Sequence, residues 1–353
     1  QILNCGNHAH SPEKWHEFIT GIQEHAARKA SGIPVLYGVD AIHGPTYTAE
    51  AVLGPQQIGL AATWNESLVR KNAAATAEQV AACGIPWNFS PVLDLGRDPR
   101  WPRFWETFGE DPLLASRLGV AMVEGYQKGD VPFAATLKHF FGYGFSLSGK
   151  DRTPAWIPER ELREYFLPSF QAAIDAGAMS VMVNSGEING IPVHANRYLL
   201  TDLLRDELGF EGVVVSDWED IRYLYTRHMV AEDNKEATRM GIEAGIDMSM
   251  VPFDLEFSEA LVELVQEGTI SMERIDLSVR RILNMKWELG LFETAGMPPA
   301  LDTYPDKSQF EGPAARAALE SITVLKNEGQ HAVYPDRPIS VSYTHLRAHE
   351  TPC

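Results

Sequence analysis

The sequence is poor in cysteine and in basic residues, and it has no long apolar run. Only Cys5, Cys83 and Cys353 occur in 353 residues, and their spacing fits neither a metal site nor a disulfide framework, which leaves the redox compartment open. Lysine and arginine number 30 against 48 acidic residues, a net charge of −18. Without a basic stripe, nucleic acids and anionic membrane surfaces are poor partners. No apolar run approaches the roughly 18 residues of a membrane-spanning helix, so we expect no membrane insertion.

The chain also lacks an initiator methionine and a signal peptide. It opens with Gln1, Ile2, Leu3 and Asn4, which is typical of the interior of a strand. We therefore expect the natural N-terminus to lie upstream, and the missing leader says nothing about location. The length suits one large α/β barrel with a remainder, or two mid-sized domains. A hydrophobic fraction of 44% is ordinary for a folded chain.

Short apolar runs alternate with amphipathic helix patterns along about 290 residues, which favours a parallel sheet. Helix starts are predicted at Ser11, Asn65 and Asp111, and further helices at 158–177 and 197–208. Continuous runs such as 213–215 (VVV) indicate strands buried on both faces. The expected fold is a (β/α)8-type TIM barrel, although one regular strand is missing from the count. A doubly wound open sheet is the alternative, and no glycine-rich nucleotide fingerprint supports it. The strand candidates are residues 2–5, 33–40, 85–94, 134–140, 180–184, 212–217 and 246–251.

The pattern weakens toward the C-terminus. A helix over 275–289 closes the barrel domain, predicted as residues 1–293, and a Pro-bearing stretch at 294–313 is typical of a linker. Residues 314–338 begin a second domain, with a helix at 314–321 and a strand start at 322–325. Residues 339–353 continue no pattern, and we interpret them as a non-native tail.

Polar residues follow five of the predicted strands, where parallel barrels carry their chemistry. Asp217 is the sharpest candidate, because it leaves a buried valine run and could act as nucleophile or general base. Lys138 and Arg103 would keep it ionised. An N-cap role for Asp217 is the alternative, and polar strand ends also arise simply because they meet water.

The neighbouring candidates each have two interpretations. Lys138 could form a Schiff base or donate to a ligand hydroxyl, and His139 could be a base, a sugar contact or a core histidine. Arg103 could clamp vicinal hydroxyls or be a stacked structural arginine. Trp218 could stack on a sugar ring or belong to the core. No zinc spacing and no Gly-x-Ser-x-Gly motif occur, so we expect neither a metal nor a cofactor.

The order of these residues along the chain resembles the motif order of glycoside hydrolase family 3, in its bacterial β-glucosidase branch. The likeness covers residues 2–328 and is specific, because separate motifs agree. They are YGVDAIHG at 37–44, the arginine loop and FWETFGED at 97–111, KHF at 138–140, NGIP at 189–192 with Asn196, and VSDW at 215–218.

The resemblance assigns roles. The residue matching Asp40 holds sugar hydroxyls, and those matching Arg103, Lys138 and His139 bind the sugar in subsite −1. Asp217 matches the attacking carboxylate of a retaining mechanism. A second carboxyl group about 5–5.5 Å away acts as acid and then base. In most of the family it is a glutamate of a second, α/β-sandwich domain, of which this chain carries only the first elements.

The sequence therefore assigns no acid/base residue. The loop 142–152 contains Asp151 but no histidine, which argues against the N-acetylglucosaminide branch with its Asp-His dyad there. Glu106, Glu110 and Glu187 are conceivable substitutes. Near Ser185 the family often has a tyrosine that steadies the nucleophile, so that role is unassigned here.

The resemblance implies an exo-acting β-glucosidase that takes terminal β-D-glucosyl residues from small oligosaccharides or glucosides in the periplasm or outside the cell. Xylose and galactose remain alternatives for the sugar. A sugar-binding barrel without efficient turnover and a Schiff-base aldolase using Lys138 are the rival functions. The oligomeric state cannot be inferred from the sequence.

Overall fold

The computed structural model describes residues 2–3 and 8–326. The chain divides into a compact unit of residues 1–321 and a second unit of residues 322–353. In the second unit only residues 322–326 are described, and they form no regular secondary structure. The strand start predicted at 322–325 is therefore wrong for these residues. The predicted tail at 339–353 lies outside the described residues.

A parallel sheet organises the first unit. The described strands are β1 (Ile2–Leu3), β2 (Tyr37–Val39), β3 (Trp87–Asn88), β4 (Ala134–Phe140), β5 (Ser180–Val183), β6 (Glu187–Ile188), β7 (Ile191–Pro192), β8 (Val213–Trp218) and β9 (Met248–Met250). The sheet has the order β1-β2-β3-β4-β5-β8-β9, so its strands lie side by side in chain order. Strands β6 and β7 form a separate hairpin between β5 and β8 in the chain.

The seven strands of the large sheet coincide with the seven predicted segments, although most are shorter. Positions 4 and 5 of the first predicted strand lie outside the described residues. The sheet is curled, because side chains of non-neighbouring strands meet on one face. Trp87 Nε1 donates to Thr136 Oγ1 (2.8 Å) on β4 and to Ser180 Oγ (2.9 Å) on β5.

The prediction of a (β/α)8-type TIM barrel is confirmed only in part, as an α/β fold with a curled parallel sheet. Among the described residues, β1 and β9 are the two edges of the sheet and do not pair. The structure is an α/β fold with a curled, sequentially ordered parallel sheet, and a closed eight-stranded barrel is not confirmed. The doubly wound alternative does not match this strand order, because doubly wound sheets reverse direction at a switch point.

Helices connect the strands and cover the outer face of the sheet. Side chains cap three helices at the starts predicted from the sequence. Ser11, Asn65 and Asp111 accept hydrogen bonds from backbone N–H groups in the first turns of the helices that begin at Pro12, Glu66 and Pro112. The helices are α1 (Pro12–Ala27), α2 (Gln57–Ala62), α3 (Glu66–Ala81), α4 (Pro112–Gln127), α5 (Glu159–Glu161), α6 (Leu167–Asp175), α7 (Asp220–Thr226), α8 (Asn234–Ala244), α9 (Glu256–Gln266), α10 (Met272–Glu288) and α11 (Ser308–Glu320).

Two regions differ from the sequence patterns. The helices predicted at 158–177 and 197–208 contain π-helical segments, Leu162–Phe166 and Tyr198–Glu207. Helix α11 begins at Ser308, inside the predicted linker 294–313, and it includes Pro313. It packs on α2 and α3 within the first unit. The proline and the weak apolar pattern explain why residues 308–313 were predicted to belong to a linker.

The core has two main parts. A large apolar cluster lies between the sheet and the helices, and a smaller one fills the concave face of the sheet. In the smaller cluster, Trp87, Met182 and Val215 come from different strands and meet Met285 and Leu289 of the C-terminal part of α10 and its end. Because apolar side chains fill this interior, polar side chains gather at the ends of the strands.

Candidate active site

The site residues predicted from the sequence lie at one edge of the sheet. Asp40 follows β2, Lys138 and His139 lie near the end of β4, and Asp217 with Trp218 ends β8. The carboxyl ends of parallel strands share one edge, which is why these distant segments converge. The sixth residue, Arg103, reaches the same edge from the long loop after β3 and contacts His139.

Asp217 lies at the centre of this group. Its Oδ2 accepts a hydrogen bond from Ser185 Oγ (2.6 Å), and its Oδ1 accepts one from the Trp218 backbone N–H (2.6 Å). His139 Nε2 lies 3.7 Å from Oδ2. The side chain is only 10% exposed. A carboxylate so positioned has a fixed orientation and little competition from water.

The surroundings keep Asp217 ionised. Burial by itself would raise the pKa of this carboxyl, but the charges of Arg152 and Arg103 and the hydrogen bonds from Ser185 and Trp218 outweigh it, so the pKa lies below its ordinary value. Asp217 is thus a carboxylate at neutral pH, which is the form that a nucleophile or general base needs.

His139 is a neutral, fully oriented imidazole. Burial, with the nearby charges of Arg103 and Lys138, lowers its pKa well below the ordinary value. Its Nδ1 lies 2.7 Å from Asp94 Oδ2, and its Nε2 lies 3.0 Å from Arg103 Nη1. Because the guanidinium can only donate, Nε2 accepts and Nδ1 carries the proton.

Two ion pairs fix the cations of the site. Lys138 Nζ donates to Asp40 Oδ1 over 2.6 Å, and the lysine side chain is 3% exposed whereas the aspartate is 33% exposed. Arg103 donates to both carboxylate oxygens of Glu106, over 3.0 and 2.7 Å. The pairs hold the ammonium and the guanidinium in place before any ligand enters, which reduces the cost of ordering them.

Trp218 borders this group and remains partly exposed. Its ring packs edge-on against Phe253, with centroids 5.8 Å apart, and Phe253 itself is 71% exposed. The inner part of the Trp218 ring contacts the apolar cluster on the concave face of the sheet. The indole therefore belongs partly to the core, and its stacking on a sugar ring stays a prediction.

Several site residues were missed by sequence reasoning. Arg152 lies 3.6 Å from Asp217 Oδ1, and Asp220 pairs with that arginine. Asp94, at the end of the predicted strand 85–94, orients His139. His194 accepts the backbone N–H of Asp217 over 3.2 Å. No local pattern marked these residues, because their roles depend on neighbours distant in the chain.

The three glutamates considered as acid/base substitutes are placed differently. Glu106 is bound to Arg103, and Glu187 is bound to His228 Nδ1 over 2.7 Å. Glu110 is exposed. Glu106 is therefore held in an ion pair, and Glu187 in a hydrogen bond with a histidine. Within residues 8–326 no group of three metal-ligating side chains was found, and no helix there is long and apolar enough to cross a bilayer.

Comparisons with known proteins agree on one family. The model described as "Glycosyl hydrolase family 3 N terminal domain" matches residues 1–285. A lysosomal beta glucosidase of Dictyostelium discoideum is 50% identical over 309 residues, which cover 84% of this chain and 38% of that protein. A periplasmic beta-glucosidase of Salmonella typhimurium is 34% identical over 306 residues, covering 84% and 39%.

A solved structure gives the same result. The beta-glucosidase of Listeria innocua in complex with glucose superimposes with a TM-score of 0.81 at 37% identity, covering 88% of this chain and 43% of that one. The chain thus spans about two-fifths of the length of the curated relatives it matches. The family match over most of the sequence, the relatives and the shared fold lead to one conclusion: the chain belongs to glycosyl hydrolase family 3.

Proposed function

We propose that this chain provides the nucleophile and the glucose-binding residues of a retaining, exo-acting β-glucosidase. The observation that carries the proposal is the state of Asp217, a buried carboxylate held ionised beside His139, Arg103 and the Lys138–Asp40 pair. Retaining glycosidases need such a carboxylate to attack the sugar. The names of the relatives, beta-glucosidases in each reported case, support glucose as the sugar.

In the proposed reaction, Asp217 attacks the anomeric carbon through an oxocarbenium-like transition state. The bond from that carbon to the leaving oxygen breaks as an ester to the carboxylate forms, and the leaving group takes a proton from a general acid. Water then cleaves the ester and restores both carboxylate and configuration. The general acid is assigned, by family likeness, to a glutamate of a second domain, whose first elements we predict at residues 314–338.

The remaining residues would bind the sugar. Asp40 can accept from hydroxyl groups through its exposed part, and Lys138, held by Asp40, can donate to the same groups. Arg103 has donors beyond those used on Glu106, and His139 lies between Arg103 and the nucleophile. Trp218 would stack on the ring of the leaving sugar. The ligand would be a small glucoside or oligosaccharide in the periplasm or outside the cell, which the name of the periplasmic Salmonella relative supports.

The aldolase alternative is disfavoured by the environment of Lys138. A Schiff-base lysine must present a free Nζ to the carbonyl group that it attacks. The Nζ of Lys138 is instead held by Asp40 at 2.6 Å, and the lysine side chain is only 3% exposed.

Covalent trapping tests the proposal. Incubation with a 2-deoxy-2-fluoro glucoside bearing a dinitrophenolate leaving group should add one fluoroglucosyl mass to the peptide containing Asp217, because such a leaving group needs little acid catalysis. The variant Asp217→Asn should take up no label, and the matching xyloside should label more slowly. A folded protein that binds glucose or gluconolactone by calorimetry but never carries the label on Asp217 would instead be a sugar-binding protein without turnover.

A further inference from the structure

Two buried carboxyl groups share one guanidinium beside the nucleophile. Arg152 Nη1 donates to Asp220 Oδ1 over 2.7 Å, while Arg152 Nη2 lies 3.6 Å from Asp217 Oδ1. The arginine comes from the loop after β4, whereas Asp217 lies at the end of β8 and Asp220 at the start of α7. Arg152 therefore links two elements that no sequence pattern connects.

Burial makes this arrangement electrostatically strong. The side chain of Asp220 is 1% exposed, that of Asp217 is 10% exposed and that of Arg152 is 22% exposed. Charges interact more strongly when water is excluded from between them. Burial and the charge of Asp217 raise the pKa of Asp220 well above its ordinary value. Arg152 is therefore available to balance Asp217, the carboxyl whose pKa lies below its ordinary value.

Hydrogen bonds position the same carboxylate from other directions. Ser185 Oγ donates to Asp217 Oδ2 over 2.6 Å, from the position where the family often has a tyrosine. His194 Nε2 accepts the backbone N–H of Asp217 over 3.2 Å, which fixes the main chain beneath the side chain. Ser185 thus fixes one oxygen of Asp217, while the other faces Arg152.

We propose that Arg152 is the positioning residue of the nucleophile: its guanidinium, anchored on Asp220, holds Asp217 in the charged form and in the orientation required for attack. The inference rests on the proposed function, because it assigns a role in the glycosylation step. Arg152 acts through Asp217, whereas Arg103 is tied to Glu106 and His139. The removal of Arg152 would therefore affect the ionisation of Asp217 rather than only the binding of the sugar.

The acidic limb of the pH–rate profile for Asp217 labelling reports on this role, because only ionised Asp217 attacks. Without Arg152 the pKa of Asp217 rises, so the reaction is lost at a higher pH than in the parent protein. Among the described residues, the charged and titratable groups that face Asp217 include Arg103, His139, Tyr143, Arg152, His194 and Asp220. His139 and His194 have pKa values below their ordinary range, and that of Tyr143 is raised, so these three groups remain neutral across this limb.

The experiment measures the rate of Asp217 labelling by the activated 2-fluoro glucoside as a function of pH in the full chain. In Arg152→Gln we expect the rate near pH 5 to fall by about 10–100-fold, as for loss of a charge-assisted contact. We also expect the acidic limb to move up by about one pH unit or more. Arg152→Lys should fall between the parent and Arg152→Gln, because it restores charge without the fork.

The controls separate positioning from folding. Arg70→Gln removes an arginine that pairs with Glu124 away from this site. It should leave the labelling rate and the position of the acidic limb of the pH–rate profile unchanged. Thermal unfolding shows whether each variant is folded. A variant that merely loses folded molecules would lower the amount of label without moving the limb, and that result would overturn the inference.

Three further outcomes are distinguishable. If the parent is labelled on Asp217 but a folded Arg152→Gln protein shows the same rate and limb, the inference is wrong and the proposed function stands. If the parent is never labelled on Asp217, the proposed function fails and the role of Arg152 fails with it. An Arg152→Lys protein no better than Arg152→Gln would show that the charge is not what matters, which also contradicts the inference.

Discussion

At the residue scale, the most unusual group is Asp94, a fully buried carboxyl beneath the sugar-binding histidine. Its Oδ2 accepts both the backbone N–H of His139 (3.1 Å) and the ring Nδ1–H (2.7 Å). Burial raises the pKa of Asp94 to about 8, although Arg103, the His139 N–H and Lys138 partly oppose this. The two accepted bonds leave Oδ1 to carry a proton, so the group can orient His139 without a buried charge.

This shift makes stability depend on pH. The unfolded chain releases the Asp94 proton near pH 4, whereas the folded protein keeps it until about pH 8. Between these values the folded state binds more protons, so this contribution to the free energy of unfolding is full below pH 4 and is lost as pH rises. Relative to Asp94→Asn, which cannot titrate, the parent should lose up to about 1.4 kcal/mol per pH unit in this window.

Urea unfolding of both proteins at several pH values checks this. If the stability of the parent relative to Asp94→Asn stays constant or increases from pH 5 to pH 8, Asp94 is ionised throughout that range and the prediction is wrong.

At the element scale, Asp247 holds helices to the sheet just before β9. Its carboxylate accepts from Arg205 (2.7 Å), Arg281 (3.0 Å) and Ser278 (2.6 Å), and from the backbone N–H of Val214 (3.0 Å). Helix α10, the π-helical segment Tyr198–Glu207 and strand β8 thus meet at one buried residue. The strand order alone does not fix these helices, so this ion network sets where they dock.

Asp247→Ala should lower the free energy of unfolding by about 3–5 kcal/mol, because it leaves buried arginines without their anion. Glu243→Gln is the control, since its ion pair with Arg239 is half exposed and should contribute less than about 1 kcal/mol. Denaturant unfolding measures both variants. A loss below about 1 kcal/mol for Asp247→Ala would show that this network does not anchor the helices.

At the scale of the whole molecule, the first compact unit extends past the region matched by the family model. Residues 1–285 match that model, whereas the unit runs to residue 321 and includes α11. Phe310 and Ala317 of α11 are buried, and Asn65 Nδ2 donates to Glu320 Oε2 over 2.9 Å. The helix therefore behaves as part of the sheet-containing unit, while a second domain beginning at 314–338 remains a prediction.

Truncation tests this boundary. A chain ending at Lys326 keeps α11 with its buried Phe310 and Ala317, and it serves as the reference. A chain ending at Pro305 should lose about 2–3 kcal/mol or more, because burial of Phe310 alone contributes about that much. Equal stability of both chains, measured by thermal and denaturant unfolding, would place α11 outside the folding unit.

Much of the fold could be predicted from the sequence, because its signals are local. Seven apolar segments became the seven strands of the large sheet, and Ser11, Asn65 and Asp111 became helix caps as their positions indicated. The convergence of the predicted site residues also followed, since carboxyl ends of parallel strands share an edge. The hairpin β6–β7 did not follow, because two-residue strands carry no periodic signal.

The sequence by itself determined the strand segments, the family and the candidate nucleophile, because these depend on local periodicity and on contiguous motifs such as VSDW at 215–218. Only the tertiary structure added Arg152 to Arg103, the cation predicted from the sequence, as a charge that keeps Asp217 ionised. Arg152 stands 65 positions before Asp217 and 68 before Asp220 in the chain, yet pairs with both. Electrostatic energy and burial depend on distance in space rather than along the chain, so no local pattern could reveal them.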